Sequence, residues 1–275
     1  MIDLHSHTTA SDGQYSPTQL VALAVKAGVT QLAVTDHDTL QGLAEAQTAA
    51  LESNLSIICG IEMSAAIGDK EIHILGHFVD PLSLSLLALA KRLSDQRIER
   101  MERMILKARG LGIPVTLEEV VSLAKGNLGR PHLALLLVQK RICANSQEAF
   151  KRFLGDGKML AVSRLNLPAE EAIETIRLAH GTATVAHPGV SKVEKHHLQA
   201  LVEAGLSGIE VFHSDHSSPL KEKYLAFAKT FNLIPTAGSD FHGEQVAPNR
   251  KLGNVSMDPL SLAELKSRRA APASL

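Results

Sequence analysis

Apolar positions along the chain alternate between two periods. Short runs of strand character, Ile2 to His7, Leu32-Ala33-Val34, Leu55 to Cys59 and Glu71 to Phe78, are separated by stretches of helical spacing. Leu20, Leu23, Ala24 and Ala27 form one such stripe behind Ser16-Pro17, and Gly28 ends it. Ser is a favoured N-cap and Pro suits the first helical turn, so the start of this helix is marked twice. Thr39 to Glu52, rich in Ala, Leu, Glu and Gln, predicts a second helix. Strands alternating with helices imply a largely parallel sheet under helical cover.

The rhythm changes between residues 80 and 160. Leu82 to Gly110 reads as one long helix, with Arg92, Asp95, Arg97, Glu99, Arg100, Glu102 and Arg103 crowded in its middle. Opposite charges four residues apart describe a solvated helix face. Leu117 to Lys125, His132 to Ile142 and Gln147 to Leu154 predict shorter helices. From about residue 170 the alternation returns. Helices are expected over Pro168 to Ala179, His196 to Ala204, Leu220 to Phe231 and from Leu260 to about Arg268. Strands are expected over Ala183 to Ala186, Gly208 to Phe212 and Ile234 to Gly238. The fold class is α/β: a barrel formed by residues 1–79 and 161–275, with residues 80–160 as a helical insertion capping the active site.

Composition narrows the function. The 275 residues hold 28 Lys and Arg against 29 Asp and Glu, a net charge of −1. A long duplex or RNA tract would need a strongly basic face. No run of about 18 apolar residues suggests a membrane span. Met1 to His5 lacks the basic and apolar regions of a signal peptide. Cys59 and Cys143 are the two cysteines, which fits a reducing cytoplasm. Thirteen histidines stand beside no Trp and two Tyr, and imidazole is a common metal ligand and acid/base group.

Those histidines gather where strands end. Residues i and i+2 of a strand face one side, so His5 and His7 can chelate one metal, with Asp3 able to orient an imidazole. His37 lies between Asp36 and Asp38, and two carboxylates so close would repel if buried without a cation. Glu62 gains weight from His73 on the following strand; His77 reads as structural or supporting. Further clusters are Ala186-His187-Pro188, His213-Ser214-Asp215-His216 and Asp240-Phe241-His242, the last repeating the i, i+2 spacing. In α/β barrels the active site lies at the carboxyl ends of the strands. His180, His196 and His197 lack a carboxylate partner and read as surface residues.

Asp3-Leu-His5-Ser-His7-Thr8, Thr35-Asp36-His37-Asp38, the Glu62 and His73 pair, Ala186-His187-Pro188 and Gly238-Ser239-Asp240-Phe241-His242 together resemble the PHP (polymerase and histidinol phosphatase) superfamily. Thr35 to Ala46 and the segment Gly129-Arg130-Pro131-His132 are similar to its bacterial metal-dependent phosphoesterase branch. That branch includes nucleoside 3′,5′-bisphosphate phosphatases and the 5′-to-3′ exoribonuclease RNase AM. The resemblance implies a distorted (β/α)7 barrel with a trinuclear centre. One metal would take His5, His7, Glu62 and Asp240; a second Glu62 as a bridge, His73 and His187; a third Asp12, His37 and His242. Asp12, in Ala10-Ser11-Asp12-Gly13, enters only through the resemblance, since its residues alone describe a turn. His216 matches a substrate-site histidine. His213 departs from the residue common in the family, and Lys158 from the family's Gly-Lys-Pro, so neither is assigned; His132 stays open.

Nitrogen and oxygen donors without thiolates suit two to three divalent ions, manganese first, zinc or iron as alternatives. A bridged pair can activate a water and hold a phosphoryl oxygen. Arg130 and Arg164 are the candidates for bidentate phosphate contacts. The expected activity is hydrolysis of phosphate esters of short nucleotides: a nucleoside 3′,5′-bisphosphate such as pAp, the 5′ end of short phosphorylated RNA, or both. Attack by a metal-bridging hydroxide is expected, with Glu62, Asp240 and His216 as catalytic residues. The partner is then a small nucleotide or short RNA, without long duplex or membrane, and low aromatic content argues against a multi-base stacking platform. The alternatives are a histidinol-phosphate or sugar-phosphate phosphatase, and a non-catalytic metal-stabilised scaffold.

Overall fold

The computed structural model describes residues 1–163 and 167–269. It opens with β1 (Ile2–Asp3), α1 (Pro17–Lys26), β2 (Gln31–Val34), α2 (Leu43–Ala50), β3 (Ser56–Ile67) and β4 (Lys70–His77). A helical tract follows: α3 (Leu84–Gly110), α4 (Leu117–Leu123), α5 (Arg130–Gln139), α6 (Ser146–Ala149) and a π-helical turn over Phe150–Leu154. The chain then returns to α7 (Ala169–Leu178), β5 (Thr182–Val185), α8 (Lys195–Glu203), β6 (Gly208–His213), α9 (Ser218–Phe231), β7 (Ile234–Gly238) and α10 (Pro259–Ser267). No helix among the described residues is long and apolar enough to cross a membrane.

The seven strands stand side by side in chain order. The sheet nearly closes into a barrel, because Leu4 N donates to Ala237 O at 3.0 Å and Ser6 bridges Phe241 beyond it. The seven-stranded α/β barrel is therefore as expected, but its sheet is less parallel than the alternation implied. β4 runs antiparallel to both β3 and β5. The cause is the two-residue connection Gly68-Asp69, with Gly68 at φ 57°, which closes a hairpin where a parallel crossover would need a dozen residues or more. β3 also runs well past the expected Cys59, through Glu62 to Ile67. β1 is shorter than expected, so His5 and His7 lie on extended chain just beyond it.

At α1 the Ser16 hydroxyl accepts from Gln19 N at 3.2 Å, and the Gln19 side chain accepts from Ser16 N at 3.0 Å. This reciprocal cap satisfies two of the helix's otherwise unpaired donors. The barrel core packs Ile61, Met63, Ile72 and Ile74 against Ile173, Ile176, Leu198 and Tyr224. Helix α3 serves two cores. Leu86, Leu89 and Leu93 join the barrel core, whereas Met101, Met104 and Ile105 join a separate one with Leu133, Leu137 and Phe153.

The charge run of α3 is the expected solvated face at Arg92, Asp95, Glu99, Glu102 and Arg103, but not at Arg97 and Arg100. Arg97 and Arg100 are buried, Arg97 against Asp38, Ser64 and Leu128, and Arg100 against the carbonyl of Val162. Spacing alone cannot separate a charged face turned to water from one turned to carboxylates and carbonyls of another segment.

His77 ties the reversed strand to the first. Its Nε2 donates to Leu4 O at 2.9 Å, and burial lowers its pKa from 6.5 to about 4. The folded protein thus keeps this ring neutral where an unfolded chain would protonate it. Its contribution is full above about pH 6.5 and is lost as pH falls toward 4, up to about 3 kcal/mol. Urea unfolding across that window should show His77→Gln losing less stability than the parent protein; equal losses would refute the assignment.

Candidate metal centre

Each cluster owes its position to a local device. His5 and His7 project from one side of the extended chain after β1, while Leu4 packs into the core and Ser6 Oγ donates to Ala33 O at 2.6 Å. Gly238 makes room for His5, since a Cβ there would collide with His5 Cβ and Glu210 Oε1. The turn carrying Asp12 is held by buried Asp36, which accepts from Thr8 N (2.7 Å), Thr8 Oγ1 (2.7 Å) and Ser11 Oγ (2.6 Å). His37 bridges Glu62 on the neighbouring strand. Ser64 lies two residues beyond Glu62 and pairs with His73 on β4, so Glu62 and His73 share a face. The reversed strand is what delivers His73.

Asp38, His187 and Asp240 have φ of 54°, 24° and 53°. Non-glycine residues held in this left-handed region cost about 1–3 kcal/mol each and persist only where the surroundings enforce them. Here they turn the chain sharply at the ends of β2, β5 and β7.

The side chains converge on Glu62, which has no exposure to solvent. Glu62 Oε2 lies 3.2 Å from His5 Nε2, 3.2 Å from His7 Nε2 and 3.0 Å from His37 Nδ1. Its Oε1 lies 2.8 Å from His73 Nδ1 and 3.0 Å from His187 Nε2. Asp240 Oδ1 stands 3.3 Å from His5 Nε2, 3.2 Å from His7 Nε2 and 3.3 Å from His242 Nδ1. Asp12 Oδ1 lies 3.4 Å from His242 Nε2, and Asp12 Oδ2 lies 3.9 Å from His37 Nε2.

Among the described residues, three groups offer ligand atoms within 4.8 Å of one another: His5, His7, Glu62 and Asp240; His37, Glu62 and His73; and His7, Asp12, His37 and His242. His187 adjoins the second through Glu62. The structure thus gathers every histidine and carboxylate that the resemblance assigned to metal.

The electrostatics describe a cation site. Burial alone would raise the pKa of Glu62, but His37, His5 and His73 hold it well below the usual carboxylate range. Asp240 is held low in the same way, against burial, by His5, Arg250 and His242, and Asp12 by His37 and His242. Burial works against protonating His7, yet Asp240 and Glu62 raise it to about 9. Burial dominates at His37 and takes it to about 4, so that ring is neutral and able to ligate.

The buried atoms His5 Nε2, His7 Nε2, His37 Nδ1, Glu62 Oε2, Asp240 Oδ1 and Asp12 Oδ1 face one another without any hydrogen bond. Buried polar atoms are normally paired. Nitrogen and oxygen donors left unpaired around shared points fit divalent cations, with carboxylates to offset their charge.

Several supporting residues carried no signal in the pattern. Glu210, on β6, accepts from His5 Nδ1 at 3.0 Å and from His187 N at 2.7 Å, which fixes the ring whose Nε2 faces Glu62. Asp3, expected to orient an imidazole, accepts instead from His5 N (3.3 Å) and Ser239 N (2.9 Å). Arg250 donates to Asp240 Oδ2, and its Nη2 to Asp215 Oδ2 at 2.7 Å. His213 Nε2 donates to the same Asp240 oxygen at 3.3 Å.

The expected substrate contacts fare differently. His216 accepts from Gly189 N at 3.0 Å and donates to Val211 O at 2.9 Å, so one ring nitrogen serves the turn after His187 and the other strand β6. Arg130 donates to Asp156 Oδ1 at 2.8 Å and Leu154 O at 3.4 Å, and its charge is engaged within the insertion. Arg164 lies outside the described residues. His132 accepts from Gly129 N at 3.0 Å and caps α5.

Comparison with known proteins agrees with this geometry. The PHP domain family matches residues 3–141. A 5′-3′ exoribonuclease of Haemophilus influenzae is 37% identical over 247 residues, covering 87% of this chain and 89% of the relative. A 3′,5′-nucleoside bisphosphate phosphatase of Chromobacterium violaceum is 32% identical over 247 residues, covering 88% and 87%. A solved structure from Bifidobacterium adolescentis, assigned to the metal-dependent phosphoesterases, superposes with a TM-score of 0.91 at 29% identity, covering 98% of this chain and 96% of its own. The chain belongs to the PHP domain family and is one of its metal-dependent phosphoesterases.

Proposed function

We propose that this phosphoesterase hydrolyses phosphate esters of short nucleotides, either a nucleoside 3′,5′-bisphosphate such as pAp or the 5′ end of short phosphorylated RNA. The observation that carries the reading is the Glu62 carboxylate, buried with its two oxygens turned to different sets of imidazoles. The names of the two relatives point to phosphate esters of nucleosides and RNA. A net charge of −1 over the whole chain favours a short substrate held at one site over a long one held by a basic surface.

Two to three divalent ions, manganese before zinc or iron, would lower the pKa of a water there and offset phosphate charge. His5, His7, Glu62 and Asp240 would hold one; Glu62, His73 and His187 a second; and Asp12, His37 and His242 a third. Glu62 belongs to two of these groups and faces His37 of the third, and Asp240 belongs to the first and faces His242 of the third, so these carboxylates fix the spacing on which the reaction depends. Glu210 keeps His5 in one tautomer with Nε2 free to ligate. Of the arginines near the cluster, Arg250 donates to Asp240 and Asp215, and its side chain is 22% exposed. Arg250 joins Arg130 and Arg164 as a candidate phosphate contact.

Phosphate release should be measured from pAp, a short 5′-phosphorylated RNA and histidinol phosphate, alongside elemental analysis. Turnover of either nucleotide with at least two equivalents of metal is expected. Turnover confined to histidinol phosphate would exclude the nucleotide reading, and fewer than two equivalents the metal-centre reading. Glu62→Ala and Glu62→Gln should each lower the rate at least about 10³-fold, the scale of losing a main electrostatic stabiliser. Near-normal activity in a folded Glu62→Gln protein would contradict the bridging role. Glu210→Gln should weaken metal binding about 10- to 100-fold in equilibrium dialysis; unchanged affinity would mean the His5 tautomer is set elsewhere.

A further inference from the structure

The connection between α4 and α5, residues 124–129, lies across the two barrel segments that carry Asp12 and His37. Its contacts there are dense. Gly126 approaches Ala10 so closely that a Cβ would overlap the Ala10 carbonyl. Asn127 N donates to Ala10 O at 2.8 Å. Asn127 Nδ2 donates to both His37 O (2.9 Å) and Asp38 O (3.0 Å), and its Oδ1 accepts from Ser94 Oγ at 2.6 Å. Asn127 is 7% exposed, so these bonds are made out of water. One helical turn from Ser94, Arg97 donates from Nε to Asp38 Oδ2 at 2.6 Å, from Nη2 to Ser64 Oγ at 3.0 Å and from Nη1 to Leu128 O at 3.1 Å. A Cβ on Gly129 would stand 3.6 Å from Asp12 Oδ2.

None of these hydrogen bonds uses a ligand atom. They grip the backbone beside Asp12 and on both sides of His37, and they all come from the helical insertion. The other ligands are held from within the barrel: His5 and His187 by Glu210, and Glu62 and His73 by the pairing of β3 with β4. The group of Asp12, His37 and His242 therefore has a divided origin. Its ligand atoms belong to the barrel, and two of its three segments are gripped by the insertion as well as by Asp36 and by the pairing of His37 with Glu62.

We propose that Asn127 is a positioning residue that makes the cation affinity of the Asp12, His37 and His242 group depend on the insertion, separately from the group of His5, His7, Glu62 and Asp240. The proposal rests on the metal assignment given above. Removing the Asn127 amide strands two buried carbonyls and frees the His37 turn. Misorienting a ligand through its supporting bonds weakens metal binding about 10- to 100-fold.

The test is manganese binding to the 275-residue chain, followed by titration calorimetry and elemental analysis. Asn127→Ala, Asn127→Asp, Ser94→Ala and Leu133→Ala are compared with the parent. Asn127→Asp keeps the shape and removes the two donors. Ser94→Ala removes only the support of Oδ1 and carries the test if the Asn127 variants do not fold. Leu133→Ala loosens the insertion's own core and controls for general destabilisation. The parent should hold three ions. The Asn127 variants should keep at least one at parental affinity and bind the third about 10- to 100-fold more weakly, Ser94→Ala should shift it in the same direction, and Leu133→Ala should keep all three. A third ion unchanged in the Asn127 variants overturns the proposal, as does uniform weakening of all three, or loss of the third in Leu133→Ala. A parent protein holding two ions removes the third group and this inference with it, and fewer than two overturns the metal-centre reading itself.

Discussion

The structure is organised around a carboxylate that could not stand alone. Glu62 is fully buried in the middle of β3, and an isolated buried charge would cost several kcal/mol. Five imidazoles face its two oxygens, and Asp240 and Asp12 extend the same lattice. Each imidazole offset by a carboxylate, and each carboxylate by an imidazole, makes the cluster mutually dependent. Removing one member leaves the others buried with unbalanced charge. The barrel acts as the rigid frame for this lattice, which explains why its mouth is lined with turns in unfavourable backbone conformations.

The departures of the sheet from a regular parallel barrel serve the same end. A parallel β4 would offer the cluster only its carboxyl end. The reversed β4 instead lays its middle against β3, two residues beyond Glu62, and sets His73 against Glu62 Oε1. The tight turn at Gly68-Asp69 is the local cause and the second face of the Glu62 carboxylate is the consequence. His77, further along β4, then secures the strand to the first segment through the Leu4 carbonyl.

How much of this could be read from the sequence follows from where each residue lies. His5 and His7, or Asp240 and His242, are legible because polar residues two apart at a strand end have few other uses. Glu210 is not, since it is one carboxylate inside the strand Gly208 to His213, and the imidazole it holds, His5, is far away in sequence. Arg250 is equally silent, and only the folded chain brings it to Asp240. The charged stretch of α3 misleads at Arg97 and Arg100 for a different reason. Its spacing satisfies the rule for a solvated face, while Arg97 spends its charge on Asp38 in another segment. His216 shows the converse. Its surroundings in sequence suggest chemistry, but both ring nitrogens are used by backbone.

The near balance of charge takes on a local meaning from this arrangement. A chain of net charge −1 concentrates carboxylates from Asp12, Glu62, Glu210 and Asp240 at one end of its barrel, where the neighbouring cations Arg97 and Arg250 are themselves engaged by Asp38, Asp215 and Asp240. An anionic substrate would be repelled by such a site on its own. The same carboxylates that repel phosphate attract divalent cations, and the cations reverse the sign of the field that a phosphate meets. Affinity for the anion is thus built through affinity for the metal. The strength of the centre lies in how firmly the ligand segments are held, whether by Glu210 within the barrel or by Asn127 and Arg97 from the helices above it.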